Sequence, residues 1–436
     1  MAIQQHKLRW SHSIEPWFLA YLLLGLTTGG LAMILIPVGM ESFGSIGYIG
    51  LVTAVVGVGQ LTAGAWGELA DKYGLHRPLF GGGMLLVSLA FVGFALTSSV
   101  LPWTVMALLL GLGSSAALTV ANLLIVERHP QEEWDSRVGW LQTAYSIGVV
   151  VGLAMAGVLT TFSTGTGMFV AAVTIAVAGV FGWLTTKTPT GRSYAKPHGF
   201  HLVPRAEIAR TVPLRPTRHH LSLKSIEALG PLIRTPFGIF LAIWVASSVG
   251  VAACLSLYPL VMEHVFDIDS GASSGIMAVA TAISILMYAP TGRLDKRIGA
   301  IRVLQTSLAA RLIGFVALSV LGAIAFDGRT ELAVVGVMLV ILTGPLLTVS
   351  GTIITSRLSV AHEGQGTGLF NAANALAGLS GSAVGGFIAA NEGFDAAWLF
   401  GAAGVGIGVL LSLFLQGLRH HESAPQPVTA PTPPIP

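Results

Sequence analysis

Long uncharged stretches alternate along the chain with short polar ones. The first apolar run, Pro16 to Met40, is followed by runs at 46–66, 78–98, 102–126, 138–160 and 166–186. A long polar stretch, 187–235, interrupts the pattern. Six more runs follow at 236–262, 271–291, 302–325, 332–356, 367–390 and 395–418, before a Pro-rich tail. About 20 residues rising 1.5 Å each cross the hydrocarbon of a bilayer, so each run suffices for one membrane helix. Without water to pair its amides, a single apolar run in lipid must be helical. The pattern predicts an all-α membrane protein of twelve transmembrane helices. Its parts are an N-terminus at 1–14, a six-helix bundle at 15–186, a linker at 187–235, a second bundle at 236–418 and a tail at 419–436.

Composition agrees. The chain is 53% apolar and 10% charged, whereas soluble domains are roughly 45–50% apolar and 25% charged. The mean hydropathy is +0.76. The 54 glycines suit helices that approach closely in lipid, where small residues bring backbones together. The lone Cys254 lies in an apolar run and reads as core packing. Charge orients the bundle, because cytoplasmic loops collect Lys and Arg. With the N-terminus inside, all but Arg311 and Arg329 of the 23 Lys and Arg fall on the cytoplasmic side. Both termini and the linker are therefore expected inside, in the plasma (inner) membrane. The linker's nine Lys and Arg face only Glu207 and Glu227, and it reads as a positive-inside tether beside the lipid, with no nucleic-acid partner.

Between the second and third runs lies WGELADKYGLHRPL, Trp66 to Leu79, with Gly67, Asp71, Lys72, Gly74 and Arg77. Gly292, Asp295, Lys296, Arg297 and Gly299 form a weaker copy after the eighth run. The fifth run holds Gly139, Gly148, Gly152 and Gly157, and the eleventh has Gly381, Gly385 and Gly386. Gln142 and Tyr145 lie three and six residues after Gly139, as Asn371 and Asn374 do after Gly368. These features resemble the major facilitator superfamily: the signature loop between spans two and three, its repeat in the second half, and the glycine-rich fifth span of the antiporter branches. Leu75 and His76 replace the loop's usual basic pair, and Leu153 stands at the fifth span's signature proline.

The resemblance implies two pseudo-symmetric six-helix bundles rocking about a central site, a secondary transporter working by alternating access as a monomer. It also implies that Asp71 latches the cytoplasmic end against the start of the eleventh span, with Gly67, Lys72, Gly74 and Arg77 framing it and Arg128 and Arg137 as basic partners.

Polar residues inside spans are costly and need a reason. Gln142 and Tyr145, like Asn371 and Asn374, share a helix face and are read as pathway or gate, with interhelical hydrogen bonding as the other role. Thr27, Thr28, Gln60, Asn122, Trp244 and Tyr288 complete the pathway set. Arg311, inside the ninth span, reads as an anion anchor or as an arginine that snorkels to the headgroups.

Absences narrow the function. No acid sits mid-span, and Ala107 occupies the place of the fourth-span arginine of many drug antiporters. A proton-binding device in the pathway and a cationic substrate are both disfavoured, leaving a small neutral, amphipathic or anionic solute. The His219–His220 and His420–His421 pairs lack a third ligand at metal spacing. The glycine runs at 81–83 and 404–408 lack a strand and a Walker lysine. No metal and no cofactor are expected. The fifth span leans the reading to efflux, with a uniporter or importer as the alternative. A membrane enzyme or a non-transporting receptor stands further off, the loops offering no converging catalytic groups.

Overall fold

The computed structural model describes residues 15–41, 43, 46–129, 131–186, 235–324, 326–358 and 363–415. The side chains of 71, 126, 127, 131, 132, 134–136, 289, 356 and 363–368 lie outside that description. So do the N-terminus, nearly all of the linker and the tail.

Twelve helices among the described residues are long and apolar enough to span a membrane. In chain order they are α1 (Phe18–Glu41), α2 (Ile46–Gln60, then Ala63–Tyr73), α3 (His76–Leu96), α4 (Val100–Arg128), α5 (Gln131–Leu159) and α6 (Thr164–Thr185). The second six are α7 (Pro236–Leu255, then Tyr258–Phe266), α8 (Ser270–Ile298), α9 (Ala300–Ala323), α10 (Arg329–Leu358), α11 (Glu363–Glu392) and α12 (Phe394–Phe414). Two helix starts in the second half are capped by side chains. Thr235 accepts from the Gly238 amide at 3.1 Å ahead of Pro236, and Asp269 accepts from Gly271 and Ala272 at 2.8 and 2.9 Å. These side chains satisfy amides the helix leaves unpaired.

Three local expectations are corrected. The run 236–262 is not one helix: it breaks at Ser256–Leu257 and restarts at Tyr258, because Pro259 has no amide proton to continue the ladder but fits a first turn. Gly67 is not a helix exit but lies inside Ala63–Tyr73, where a β-carbon would sit 3.6 Å from Thr119 of α4. Only Gly74, at φ 64°, ends that helix. Likewise Gly292 is helical, and Gly299 at φ 91° ends α8. Within α1, Gly25–Leu31 forms a π-helical turn. Thr27 donates to the Leu23 and Leu24 carbonyls and Thr28 to Leu24, drawing off acceptors that the α-ladder uses, a competition that widens or bends helices.

Each half is built the same way. In the first, Gly148 and Gly152 of α5 lie against the Leu22 and Leu26 carbonyls of α1. In the second, Gly381 and Gly385 of α11 lie against the Val249 carbonyl and Ala253 of α7. The halves meet through α2 on α11 and α5 on α8. This pairing of equivalent helices is the two-fold relation that the repeated glycines predicted.

Gly74 marks what is here termed the hinge end. At the far end the halves touch backbone to backbone. A β-carbon on Gly50 would lie 2.6 Å from the Gly386 Cα, and one on Gly157 would lie 2.9 Å from the Gly271 carbonyl oxygen. Beside this seam, Glu41 of α1 meets His264 of α7 at 3.1 Å. Towards the hinge end the halves part: Gln60, Gln142, Asn371 and Asn374 are all solvent-exposed although they sit within spanning helices. The segment Ala63–Tyr73 packs on α4 of its own half.

Candidate functional site

The space between the halves is a cavity of about 920 Å³, within the range of small-molecule sites. Helices α1, α2, α4 and α5 line one wall; α7 and α11 line the other. Seven of the ten residues predicted for the pathway lie on it: Thr28, Gln60, Asn122, Gln142, Tyr145, Asn371 and Asn374. Ser114 and Ser115 join them, with Met33, Pro37, Leu110, Leu118, Leu255 and Leu379 as the apolar surface between. Among the described lining residues there is no Lys, Arg, His, Asp or Glu.

The remaining three lie elsewhere. Thr27 is buried, with its hydroxyl turned back on its own helix. Tyr288 is 42% exposed on α8, off the cavity. Trp244 stands directly behind the wall and donates its indole N–H to Asn374 Oδ1 at 3.2 Å. It packs there against Phe370 and Phe240, with ring centroids 4.6 and 6.1 Å away. Arg311 is likewise off the cavity. Its Nε donates to Thr343 of α10 at 2.8 Å, so it serves the α9–α10 contact.

Tyr21 is a lining residue that sequence reading missed. Its hydroxyl is a neighbour of the Gln142 carboxamide, and its ring lies 5.4 Å from that of Tyr145. The available signal was its spacing: Tyr21 is two helical turns before Thr28, on the same face of α1. Thr28 and Tyr145 share a hydroxyl contact at 3.3 Å. The first wall is thus a linked set of phenol, hydroxyl and carboxamide groups drawn from α1 and α5.

At the hinge end, Glu15 collects the bases that had been paired with Asp71 in expectation. His129 Nε2 lies 2.6 Å from it, Arg137 3.5 Å and Arg128 3.7 Å, and the Trp17 indole donates to it at 2.9 Å. Arg137 also bonds Glu133 at 2.8 Å, which holds that carboxyl below its usual range. Arg77 donates to the Trp183 carbonyl at 2.6 Å and lies over its ring, while Lys72 lies over Tyr73. The Asp71 side chain is outside the described residues. In the second copy of the motif, Asp295 is buried. Ser350 donates to its Oδ1 at 2.8 Å, and its Oδ2 has no partner among the described residues.

The model of the Major Facilitator Superfamily matches residues 17–328 and 254–435. Comparison with curated protein sequences finds no match. Among solved structures the chain is similar to the nucleoside transporter NupG, at 15% identity and a TM-score of 0.67, covering 93% of this chain and 98% of that one. It is similar to a D-xylose-proton symporter at 14% identity and a TM-score of 0.68, covering 93% and 97%. The peptide transporter POT follows at 15% identity and a TM-score of 0.69, covering 93% and 94%. Such identities speak to the fold. With the family model spanning nearly the whole chain over two matched six-helix halves and a central cavity, this protein belongs to the major facilitator superfamily, as a secondary transporter and not an enzyme.

Proposed function

We propose that this transporter carries a small uncharged solute, polar or amphipathic, across the plasma membrane by alternating access. The observation that carries this reading is the lining of the central cavity. Five carboxamides and several hydroxyls stand among apolar side chains, with no charged residue among them. A charged solute would leave water for a wall without a counter-charge, at a cost of several kcal/mol. An anion is thereby disfavoured along with a cation, and Arg311, engaged with Thr343, is not its anchor.

In this reading the bundles at 15–186 and 236–418 rock as two bodies and the protein works as a monomer. The hinge end, both termini and the linker face the cytoplasm. The form described above is then open inwards. Gly67, Asp71, Lys72, Gly74 and Arg77, with Arg128 and Arg137, frame the latch that holds the cytoplasmic end when the far end opens. The fifth-span glycines support a lean to efflux. The solute gradient or exchange against a second solute supplies the driving force, because the described lining residues include no carboxylate, imidazole or amine to carry a proton.

The test is counterflow by purified protein in liposomes. Uncharged hydroxyl- or amide-bearing probes are expected to exchange, with an initial rate indifferent to an imposed pH gradient at clamped voltage. Exchange of charged probes alone overturns the substrate class. Proton flux at a fixed ratio to solute overturns the energetics.

A further inference from the structure

The cavity wall has a polarity that its composition does not reveal. A carboxamide carries an acceptor oxygen and a donor nitrogen, and only its partners decide which atom faces outward. Two of the lining carboxamides have partners that permit one answer. Trp244 Nε1–H is a donor only, and it points at Asn374 at 3.2 Å. The oxygen of Asn374 must face it, leaving Nδ2 for the cavity. On the other wall Asn122 donates from Nδ2 to the Leu118 carbonyl at 2.9 Å, and a carbonyl accepts only. Its Oδ1 is therefore the atom left for the cavity; it has no partner among the described residues and is not sealed from water. Asn371 and Gln60, also exposed on the lining, have no side-chain bond among the described residues to fix their orientation.

Resting on the transport reading above, we infer that the site is a polarised clamp for an uncharged solute. Asn374 of the second half offers it a fixed donor, Asn122 of the first half offers a fixed acceptor, and Trp244 is the positioning residue that sets the donor. The solute class is one with a hydrogen-bond acceptor and a hydrogen-bond donor on separate parts of one neutral skeleton, as in a polyol or a nucleoside. A simple ion could use one end only and would find no counter-charge among the described lining residues. Asn371 and Gln60 turn to suit the rest of the molecule.

Trp244 reaches solute only through Asn374, so its replacement by phenylalanine is the informative change. The variant keeps a ring against Phe370 and Phe240 and loses the N–H. Asn374 is then free to turn, and the acceptor-facing end of the clamp loses its definition. One hydrogen bond is worth roughly 0.5–1.5 kcal/mol, so binding is expected to weaken by about three- to tenfold.

The experiment uses purified full-length protein and four probes, with thermal stabilisation as readout, since a ligand that binds the native state raises apparent stability by mass action. D-xylose and uridine are uncharged; D-xylonate and uridine 5′-monophosphate carry the same frameworks with an anion. At least one uncharged probe should stabilise the protein while its anion does not. Trp244→Phe should keep the ligand-free melting temperature and lose affinity for that probe, and Asn374→Asp, the same shape without a donor, should abolish binding. Stabilisation by the anions alone, or by none of the four, overturns the solute class. Unchanged affinity in Trp244→Phe overturns the clamp, as does an affinity loss that merely tracks a lower ligand-free melting temperature. Counterflow of any solute is measured separately, so transport stands or falls apart from these outcomes.

Discussion

The two ends of this bundle come together by different chemistry. At the far end the seam is bare backbone, Gly50 against Gly386 and Gly157 against the Gly271 carbonyl. At the hinge end the halves stand apart, and the charged side chains there pair within the first half, with Glu15 holding His129, Arg128 and Arg137. Contacts between backbones are short-ranged, dry and nearly all-or-none, since a gap of even 0.5–1 Å forfeits much of the attraction. Charge networks act over about 8–10 Å, yield to salt and can be rearranged one partner at a time. One end is thus a steric fit, whereas the latch proposed for the other would be an adjustable electrostatic catch. The difference predicts that mutations will act differently at each.

The largest effect is expected from a side chain on the seam. Gly50→Leu places its first carbon onto the Ser382 carbonyl and the Gly386 Cα. Overpacking of this kind costs roughly 1–3 kcal/mol, about five- to 150-fold in the closed-to-open ratio of that end. Each half should remain folded, so the expected result is normal yield, near-complete loss of transport and new reactivity of a cysteine placed at Ser256 towards reagent from the far side. Ordinary transport by Gly50→Leu would remove the seam from the cycle.

Next comes the catch. Asp71→Asn keeps the size of the side chain and removes the charge that bases and helix amides favour. Expression should be retained, transport should fall about tenfold or more on the scale of one charged hydrogen bond, and the hinge end should stand open more of the time. Cysteine accessibility of the cavity wall from that end, with and without the substitution, measures it. Equal turnover and equal accessibility would reduce Asp71 to a surface charge.

A smaller effect belongs to the one side-chain ion pair that joins the halves at the seam among the described residues. His264 Nδ1 lies 3.0 Å from the Leu260 carbonyl and must donate to it, so the contact of Nε2 with Glu41 at 3.1 Å needs one further proton. Glu263 on the same segment adds negative charge. From the neighbouring helices, Asp269 is committed to its cap and Arg329 to Asp267 at 3.0 Å, and Glu331 stands at the start of α10. Both partners are half-exposed, so loss of the pair should loosen the seam only about two- to fivefold. Pulsed-EPR distances between labels at Phe162 and Phe326, with and without Glu41→Gln, would show it. Identical distance distributions would leave the pair out of the seam's closure.

The sequence was most informative where period and repetition carried the signal. Twelve apolar runs and paired glycines led to the fold, and the i, i+3 pairs Gln142–Tyr145 and Asn371–Asn374 led to both walls of the cavity. Tyr288 lies off the cavity and Trp244 one layer behind its wall; the first part of α7 is apolar nearly all round, so no hydrophobic face told which of its sides meets the cavity. The Glu41–His264 pair was invisible for a different reason. Its members lie at helix ends in opposite halves, and only the closure of the seam brings them together. The π-turn of α1 arises from Thr27 and Thr28 competing for carbonyls, which apolar periodicity does not register.

Asp295 has a consequence for the durability of the molecule rather than its cycle. Its carboxyl is buried with one oxygen unpartnered among the described residues, and burial raises its pKa, with Ser350 and then Arg357 opposing the shift. An acid whose folded value is raised binds its proton more tightly when folded, so folding loses free energy as pH climbs from the unfolded value through the folded one. At neutral pH the second half therefore carries a buried charge that Ser350 and Arg357 only partly offset. Asp295→Asn retains the oxygen that Ser350 bonds and discards that charge. The expected outcome is a higher melting temperature at pH 7.5 and little change near pH 4, read by thermal unfolding at both. A lower melting temperature at pH 7.5 would mean that the carboxylate has a cation to answer to. The second bundle thus has thermal stability in reserve, within reach of one neutral substitution.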